Sequence, residues 1–233
     1  MQDPFTSFYD AQVVEDFMLL AEKIGFRPIL LPFKPNGKPQ HVKGFLAKFA
    51  KTAKSTADFL NQIHQLDMAM VGLDASLALC YRDEYKQTLG QHRGNFEVKL
   101  AHEWLISIID QQNINTRGDI ADSDQNIAYK LFAHCTEKTA LSGSEGQWQH
   151  IFKHFGLSLS SIAVGCCGMA GTYGHEKVNL ANSKALYEMS WQEKIANLAT
   201  EQILVTGYSC RSQIKRLDNR VTQHPVQALL KAL

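Results

Sequence analysis

The sequence predicts an α/β fold made of two pseudo-equivalent modules, each a small parallel sheet flanked by helices. Helical and strand-like patterns alternate along the chain, an order typical of parallel sheets covered by helices. The same order of helix, strand, turn, helix and strand occurs in both halves. These two observations together predict an internal repeat.

In the first module, assigned to residues 1–90, two stretches with helical spacing of apolar residues are each followed by a short apolar run. Asp10 is placed to cap the first helix and Gly25 to end it. The turn FKPNGKPQ separates the first strand from the second helix. The predicted elements are a helix over 9–26, a strand over 27–32, a helix over 41–66 and a strand over 68–74.

The second module, assigned to residues 127–233, opens with a strand over 127–135 and then repeats this order. A glycine-rich turn beginning at Cys166 stands where the first module has its proline-rich turn. The connecting segment 91–126 holds an amphipathic pattern over 96–112, which predicts a joining helix, and then a polar stretch. The remaining predicted elements are a helix over 144–157, a strand over 160–165, a helix over 176–198 and a strand over 202–207.

Composition and charge argue against several classes of protein. Lys and Arg number 24 against 23 Asp and Glu, and the net charge of +1 gives no reason to expect a nucleic-acid partner. No apolar run approaches the roughly 20 residues of a membrane span, and the N-terminus lacks a signal-peptide pattern. We therefore expect a cytoplasmic globular protein with no membrane span.

Four of the five cysteines follow predicted strands of the second module. In open parallel sheets, ligands bind in the crevice beyond the carboxyl ends of the strands. Four convergent thiols would form the ligand set of a zinc ion or an iron–sulfur cluster, whereas each cysteine alone is better explained as a small core residue. The candidate metal ligands are Cys135, Cys166, Cys167 and Cys210. The glycines expected to give a cofactor access to the backbone are Gly165, Gly168, Gly171 and Gly207.

The first module has no cysteines at the matching positions. The turn FKPNGKP replaces the cysteine pair, Ser76 is expected at the position of Cys210, and Asp3 lies near the counterpart of Cys135. The first module is therefore interpreted as a degenerate copy that lacks the ligands. The remaining cysteine, Cys80, is interpreted as a core thiol.

Two histidines adjoin the cysteines in sequence. His134 directly precedes Cys135, and His175 follows the glycine-rich turn. Each is either a ligand or hydrogen-bond donor to sulfur, or an ordinary imidazole. No Walker or GxGxxG phosphate loop and no Ser–His–Asp order is recognisable, so the sequence indicates no catalytic residue.

Five strings of the sequence carry a family resemblance: VGLDASLALCYRDEY, LFAHCTEKT, VGCCGMAGTYGHEK, GYSCRSQIKR and HPVQAL. A CCG turn with one cysteine upstream and another downstream resembles the cysteine-rich CCG domain. That domain occurs in pairs in one of the subunits of heterodisulfide reductase and in the iron–sulfur subunit of glycolate oxidase. The longer strings are similar to the C-terminal region of bacterial FAD-linked oxidases of the D-2-hydroxyglutarate dehydrogenase type.

The resemblance implies that the chain is a fragment of a flavoenzyme, with FAD and ferredoxin-like domains upstream in the same polypeptide as its partners. FAD would take a hydride equivalent from a 2-hydroxy acid, and the iron–sulfur region would pass electrons onward. The chain by itself, which has no flavin signature, would be inactive. The family pattern has five cysteines, and its first CxxC cysteine falls on Gly207 here. A four-thiolate 4Fe–4S cluster, a zinc ion and an empty site all stay open.

The function implied is iron–sulfur electron transfer within an FAD-linked 2-hydroxy-acid oxidoreductase. The alternative is a structural zinc or metal-free module that packs against the flavin domain. A third possibility is thiol redox chemistry at the adjacent pair Cys166 and Cys167.

Overall fold

The computed structural model describes residues 1–112 and 127–233. The polar stretch predicted to complete the joining segment, residues 113–126, lies outside these ranges. The described residues contain two small parallel sheets surrounded by helices, which confirms the predicted α/β class.

The two sheets are built from strands of three to five residues. In the first, β1 (Met70–Gly72) pairs in parallel with β2 (Val98–Leu100). In the second, β3 (Ala128–Phe132) lies between β4 (Ser158–Ser161) and β5 (Ile203–Val205), and both pairings are parallel. The carboxyl ends of β3, β4 and β5 therefore lie at one edge of the sheet.

Helices cover both sheets. The α-helices that precede β2 are α1 (Pro4–Tyr9), α2 (Ala11–Lys23), α3 (Lys38–Val42), α4 (Leu46–His64), α5 (Ala75–Arg82) and α6 (Glu84–Leu89). Those that follow β2 are α7 (Ala101–Gln112), α8 (Cys135–Ala140), α9 (Ser144–His154), α10 (Leu180–Ser190), α11 (Gln192–Ala196), α12 (Tyr208–Asp218) and α13 (Pro225–Lys231).

Helices α2 and α9 end in the same way, at equivalent places in the two modules. Gly25 follows α2 with φ +94°, and Gly156 follows α9 with φ +72°. In each case the next residue donates its N–H back to the helix, from Phe26 to the Ala21 carbonyl at 2.9 Å and from Leu157 to the Phe152 carbonyl at 2.8 Å. This shared C-terminal motif, which favours glycine in the left-handed region, marks equivalent positions in the repeat.

Helices of the first module and of the connecting segment pack on helices of the second module. Helix α2 contacts α13, and α7 contacts α9. Apolar residues from these four helices and from β3 belong to one continuous core, which includes Leu20, Trp104, Trp148 and Leu229. An ion pair between Arg211 and Asp10, 2.8 Å long, adds a polar link between the modules. Asp10 therefore binds Arg211 rather than capping α2, since its side chain makes no cap hydrogen bond.

Several predicted elements differ from the structure. The predicted strand over 27–32 forms no ladder, because no strand lies beside it among the described residues. The predicted joining helix over 96–112 is preceded by β2, which pairs with β1, so helix starts only at Ala101. The helix predicted over 41–66 begins at Leu46, after Gly44 with φ +77°. The helix predicted over 176–198 is divided by Trp191 into α10 and α11.

Within the ranges that the structure describes, no helix combines the length and the apolarity needed to cross a bilayer.

Candidate functional site

The four cysteines of the second module lie beyond the carboxyl ends of the three strands of its sheet. Cys135 is the first residue of α8, which follows β3. Cys166 and Cys167 lie in the turn after β4, and Cys210 lies in the first turn of α12, after β5. The fold thus brings thiols from three separate segments to one edge of the sheet.

Glycines hold the turn that carries the cysteine pair. Gly168 has φ +82°, and a side chain here would overlap the backbone carbonyl of Ser183 in α10, so the position requires glycine. The N–H of Gly168 donates to the sulfur of Cys166 at 3.3 Å. On the other side of the pair, the Gly165 carbonyl accepts from Trp191 Nε1 at 3.0 Å. The backbone is therefore fixed on both sides of the two thiols.

The turn then continues through a left-handed stretch. Ala170 has φ +42° and Gly171 has φ +68°. A side chain at Gly171 would meet nothing within 4 Å. The N–H of Gly174 closes this part of the turn by donating to the Met169 carbonyl at 2.9 Å. Glycine at position 171 therefore allows the left-handed backbone conformation of the turn, and no neighbouring atom requires the side chain to be absent.

The four thiols form a continuous row of neighbours. The pKa of Cys166 is shifted by Cys135 and by Cys167, and that of Cys167 by Cys166 and by Cys210, so each thiol has another thiol as a neighbour. Cys135 and Cys166 are partly exposed, whereas the exposed fractions of Cys167 and Cys210 are 2% and 1%. The row thus runs from the surface into the interior of the second module.

Hydrogen bonding along the row separates the pKa values of the thiols. The bonds from Cys135, from Cys167 and from the N–H of Gly168 lower the pKa of Cys166. The bond to Cys166, followed by burial, raises the pKa of Cys135. The bonds to Cys166 and Cys210, together with burial, raise the pKa of Cys167. Because a thiolate is the form that binds metals and attacks disulfides, the row favours one such anion, at Cys166.

The donor atoms match a thiolate-bound group in type and number. Four cysteine thiolates are the ligand set of many zinc sites and iron–sulfur clusters. Across residues 1–112 and 127–233, however, no three or more His, Cys, Asp or Glu side chains are grouped as they would be around a metal ion. Binding a metal would require the four sulfur atoms to gather around it and would release their protons. The four cysteines thus match such a group in the type and number of donor atoms, but not in their arrangement within the described residues.

Gly207, where the resemblance implies a position occupied by cysteine in other proteins, lies against His134. A side chain on Gly207 would overlap the His134 imidazole. The N–H of His134 donates to Thr206 Oγ1 at 2.9 Å, and its Nδ1 accepts from the N–H of Thr136 at 3.2 Å. Burial lowers the pKa of His134, so the ring is neutral. A neutral imidazole therefore fills the space that a cysteine at position 207 would need.

Cys80 and His175 differ from the thiol row in their surroundings. Cys80 is fully buried in the core of the first module, where burial raises its pKa to about 12. This confirms its interpretation as a core thiol. His175 is exposed at the end of a short 3-10 helix, Tyr173–His175.

The sequence did not reveal a buried polar cluster that involves α8. Glu137 accepts a hydrogen bond from Trp148 Nε1 at 3.2 Å, and its Oε1 lies 3.7 Å from His102 Nδ1. Burial raises the pKa of Glu137 to about 7 and lowers that of His102 to about 4. Glu137 and Trp148 lie on the consecutive helices α8 and α9, but His102 lies on α7, so no local motif connects the three.

The first module places an apolar residue where the second has Cys210. Strands β1 and β5 are each followed by one residue and then by a helix N-cap, Asp74 in one module and Gly207 in the other. Counting from these caps aligns Leu77 with Cys210. The expectation that Ser76 occupies the position of Cys210 is therefore wrong by one residue.

Comparison with known proteins finds relatives that are much longer than this chain. The whole chain is 56% identical to a D-2-hydroxyglutarate dehydrogenase of Escherichia coli (strain K12) and 49% identical to one of Haemophilus influenzae. It spans 22% and 23% of those two proteins, and it matches their C-terminal part. A more distant similarity, 22% identity, covers 98% of the chain and 57% of one of the subunits of the anaerobic glycerol-3-phosphate dehydrogenase of Escherichia coli (strain K12). No protein-family model matches the chain.

Proposed function

We propose that this chain is the cysteine-rich electron-transfer part of a larger FAD-linked 2-hydroxy-acid dehydrogenase, and that its thiol row binds an iron–sulfur cluster. The observation that carries the proposal is the row of four neighbouring thiols at the carboxyl edge of a parallel sheet. The similarity of the whole chain to part of D-2-hydroxyglutarate dehydrogenases supports an oxidoreductase setting.

The sulfur ligands would be Cys135, Cys166, Cys167 and Cys210. When bound, an iron–sulfur cluster accepts and releases single electrons. The N–H of Gly168, which donates to the Cys166 sulfur, would withdraw charge from that ligand and stabilise the reduced state. The buried pair Cys167 and Cys210 would keep water from one side of the site, while Cys135 and Cys166 leave it open to a redox partner.

The partners in this proposal are the FAD and ferredoxin-like domains that would precede the chain in the same polypeptide. Oxidation of a 2-hydroxy acid to a 2-oxo acid delivers two electrons to the flavin. The thiol site would convey those electrons one at a time toward an acceptor. The chain by itself would catalyse no oxidation, because the substrate and the flavin belong to the upstream domain.

Anaerobic reconstitution tests the proposal directly. The purified chain is incubated with iron and sulfide, desalted, and assayed for bound iron, acid-labile sulfide and broad visible absorption. We expect bound cluster in the wild type and about tenfold less after Cys135→Ser, Cys166→Ser, Cys167→Ser or Cys210→Ser. Cys80→Ala is the matched control. That buried thiol lies in the other module, so its removal should leave the amount of bound cluster unchanged. Equal cluster content in all five variants would overturn the proposal, and stoichiometric zinc without iron would favour the structural alternative.

The adjacent pair supports a second candidate function. Cys166 is partly exposed, its pKa is lowered by neighbouring hydrogen bonds, and Cys167 is bonded to it. With glutathione disulfide as oxidant, the two thiols would lose two electrons and two protons to form one disulfide, and two glutathione molecules would form. Mass spectrometry of the metal-free protein would detect this disulfide. Full reconstitution of the cluster without any disulfide would instead favour the electron-transfer function.

A further inference from the structure

An apolar groove opens beside β1 in the first module, with a cavity volume of about 260 Å³. One wall is the segment 26–31, the other is β1, and α2 contributes the floor. On the rim, Ile29 and Leu30 are 63% and 46% exposed, which is unusual for apolar side chains in a segment predicted to be a buried strand. The lining includes Val14, Phe17, Ala21, Phe26, Leu31 and Met70.

The repeat shows what fills the equivalent place in the second module. The matching ends of α2 and α9, at Gly25 and Gly156, place residues 27–30 at the position of β4. The matching starts of α5 and α12 place β1 at the position of β5. In the second module β3 lies between β4 and β5. The groove therefore lies where a counterpart of β3 would run.

Met1 already occupies the last position of that absent strand. Helices α1 and α8 have the same length and have Asp3 and His134 as their N-caps, so Met1 aligns with Phe132, the last residue of β3. The amino group of Met1 donates to the Val71 carbonyl at 2.7 Å. Val71 aligns with Leu204 of β5. In the second module Leu204 is paired with Leu131, the residue just before Phe132. The bond from Met1 thus has the register of a β3-like ladder.

The segment 26–31, on the other side of the groove, is also positioned to pair with a strand. Gln2 Nε2 donates to the Leu31 carbonyl at 2.8 Å, which ties the start of the chain to the segment 26–31. Leu31 aligns with Ile162, whose N–H donates to the Leu131 carbonyl of β3 at 2.8 Å. The backbone of Leu31 therefore stands where it would pair with an additional strand.

We propose that the groove is the seat of a parallel β-strand of about four or five residues, supplied by polypeptide that precedes Met1 in a longer protein. The relatives, of which this chain spans 22%, contain such upstream polypeptide. The strand would pair with β1 on one side and with residues 27–30 on the other. Its alternate side chains facing α2 would be apolar, as Tyr129 and Leu131 of β3 are buried at 3% and 0% exposure.

Amide hydrogen exchange tests this proposal without reference to metal or activity. The 233-residue chain is compared with a version extended at Met1 by the segment that precedes the match in the Escherichia coli relative. We expect the amides of Val71 and Leu31 to exchange at least about tenfold more slowly in the extended protein. The amide of Leu204, which already lies in a complete sheet, serves as the internal reference.

A second extension carries proline at two alternate positions, where proline cannot donate to a ladder. We expect it to give no protection at Val71 or Leu31. Equal exchange in the extended and unextended proteins would overturn the proposal. Protection that grows with the concentration of the unextended chain, with dimers in sedimentation and no effect of the extension, would also overturn it and identify a second copy as the occupant.

Discussion

The carboxylate of Asp74 accepts a hydrogen bond from the backbone N–H of Tyr208 at 3.0 Å, across the boundary between the two modules. The same carboxylate accepts from the N–H of Ser76 at 3.0 Å, as the N-cap of its own helix α5. Tyr208 is the first residue of α12, the helix that carries Cys210. One buried side chain thus satisfies N–H groups at the starts of two helices and fixes α12 relative to the first module.

We expect Asp74→Ala to lower the free energy of unfolding by about 1–3 kcal/mol, because it removes a cap of α5 and leaves the partly buried N–H of Tyr208 without its partner. Urea unfolding measures the loss. Asp83→Ala is the control, since Asp83 is exposed at the N-cap of α6 and makes no cap hydrogen bond. Equal losses in the two variants would contradict a joint cap at Asp74.

The sequence predicts the long helices α2, α4, α7 and α9 and the strands β1, β3, β4 and β5, but it predicts neither the helices α5 and α12 that follow strands nor the terminal helices α1 and α13. It also fails where pairing depends on distant segments. The strand at 203–205 and the helix ends at Gly25 and Gly156 follow from local patterns. Strand β2 is not predicted, because it is only three residues long and its apolar residues continue the helical spacing of α7. The segment 27–32 has the composition of a strand, but a strand also needs a neighbour, and none lies beside it among the described residues.

The candidate site divides in the same way. Placing cysteines after strands predicts which edge of the sheet they occupy, because parallel strands end together. The order of the thiols in the row depends on the turn around Gly168 and its contact with α10, which no local pattern shows. The contact of Gly207 with His134 joins residues 73 positions apart, so it too is set by the tertiary fold.

A buried histidine predicts that the stability of the protein depends on pH. His102 is 1% exposed and its Nε2 has no hydrogen-bond partner within the described chain. Burial lowers its pKa to about 4, with Glu103 opposing and Arg82 reinforcing that shift. Its neighbour Glu137 has a pKa raised to about 7, and its carboxyl is therefore uncharged in acid and cannot stabilise an imidazolium. His224, buried on the same Trp148 ring, is also held neutral.

The folded-state pKa of His102 lies below its ordinary value of 6.5. The contribution of the neutral ring to the free energy of unfolding is therefore fully present above pH 6.5 and is lost as the pH falls toward 4. Between pH 6.5 and pH 4, we expect the free energy of unfolding of the wild type to fall by up to about 3 kcal/mol more than that of His102→Gln. Urea unfolding at a series of pH values gives the comparison. His92→Gln, at an exposed position, should keep the wild-type slope. Parallel slopes for the wild type and His102→Gln would show that His102 is not the titrating group.

The close contact between Gly207 and His134 predicts an energetic coupling between them. A methyl group added at position 207 would overlap the imidazole, although the local φ of −91° and ψ of 132° suit any residue. We therefore expect Gly207→Ala to lower the free energy of unfolding by about 1–3 kcal/mol through overpacking. His134→Ala alone should cost about 1 kcal/mol, because His134 caps α8.

Removing the ring makes room for the methyl group, so Gly207→Ala should cost almost nothing when His134→Ala is also present. A double-mutant cycle in urea would then give a coupling energy of about 1–3 kcal/mol. Gly146→Ala, in α9 with open space around it, is the control, and we expect it to be neutral or stabilising in either background. Additive losses at positions 134 and 207 would mean that His134 does not exclude a side chain there. In the coupled case, Gly207→Cys should be tolerated only together with His134→Ala.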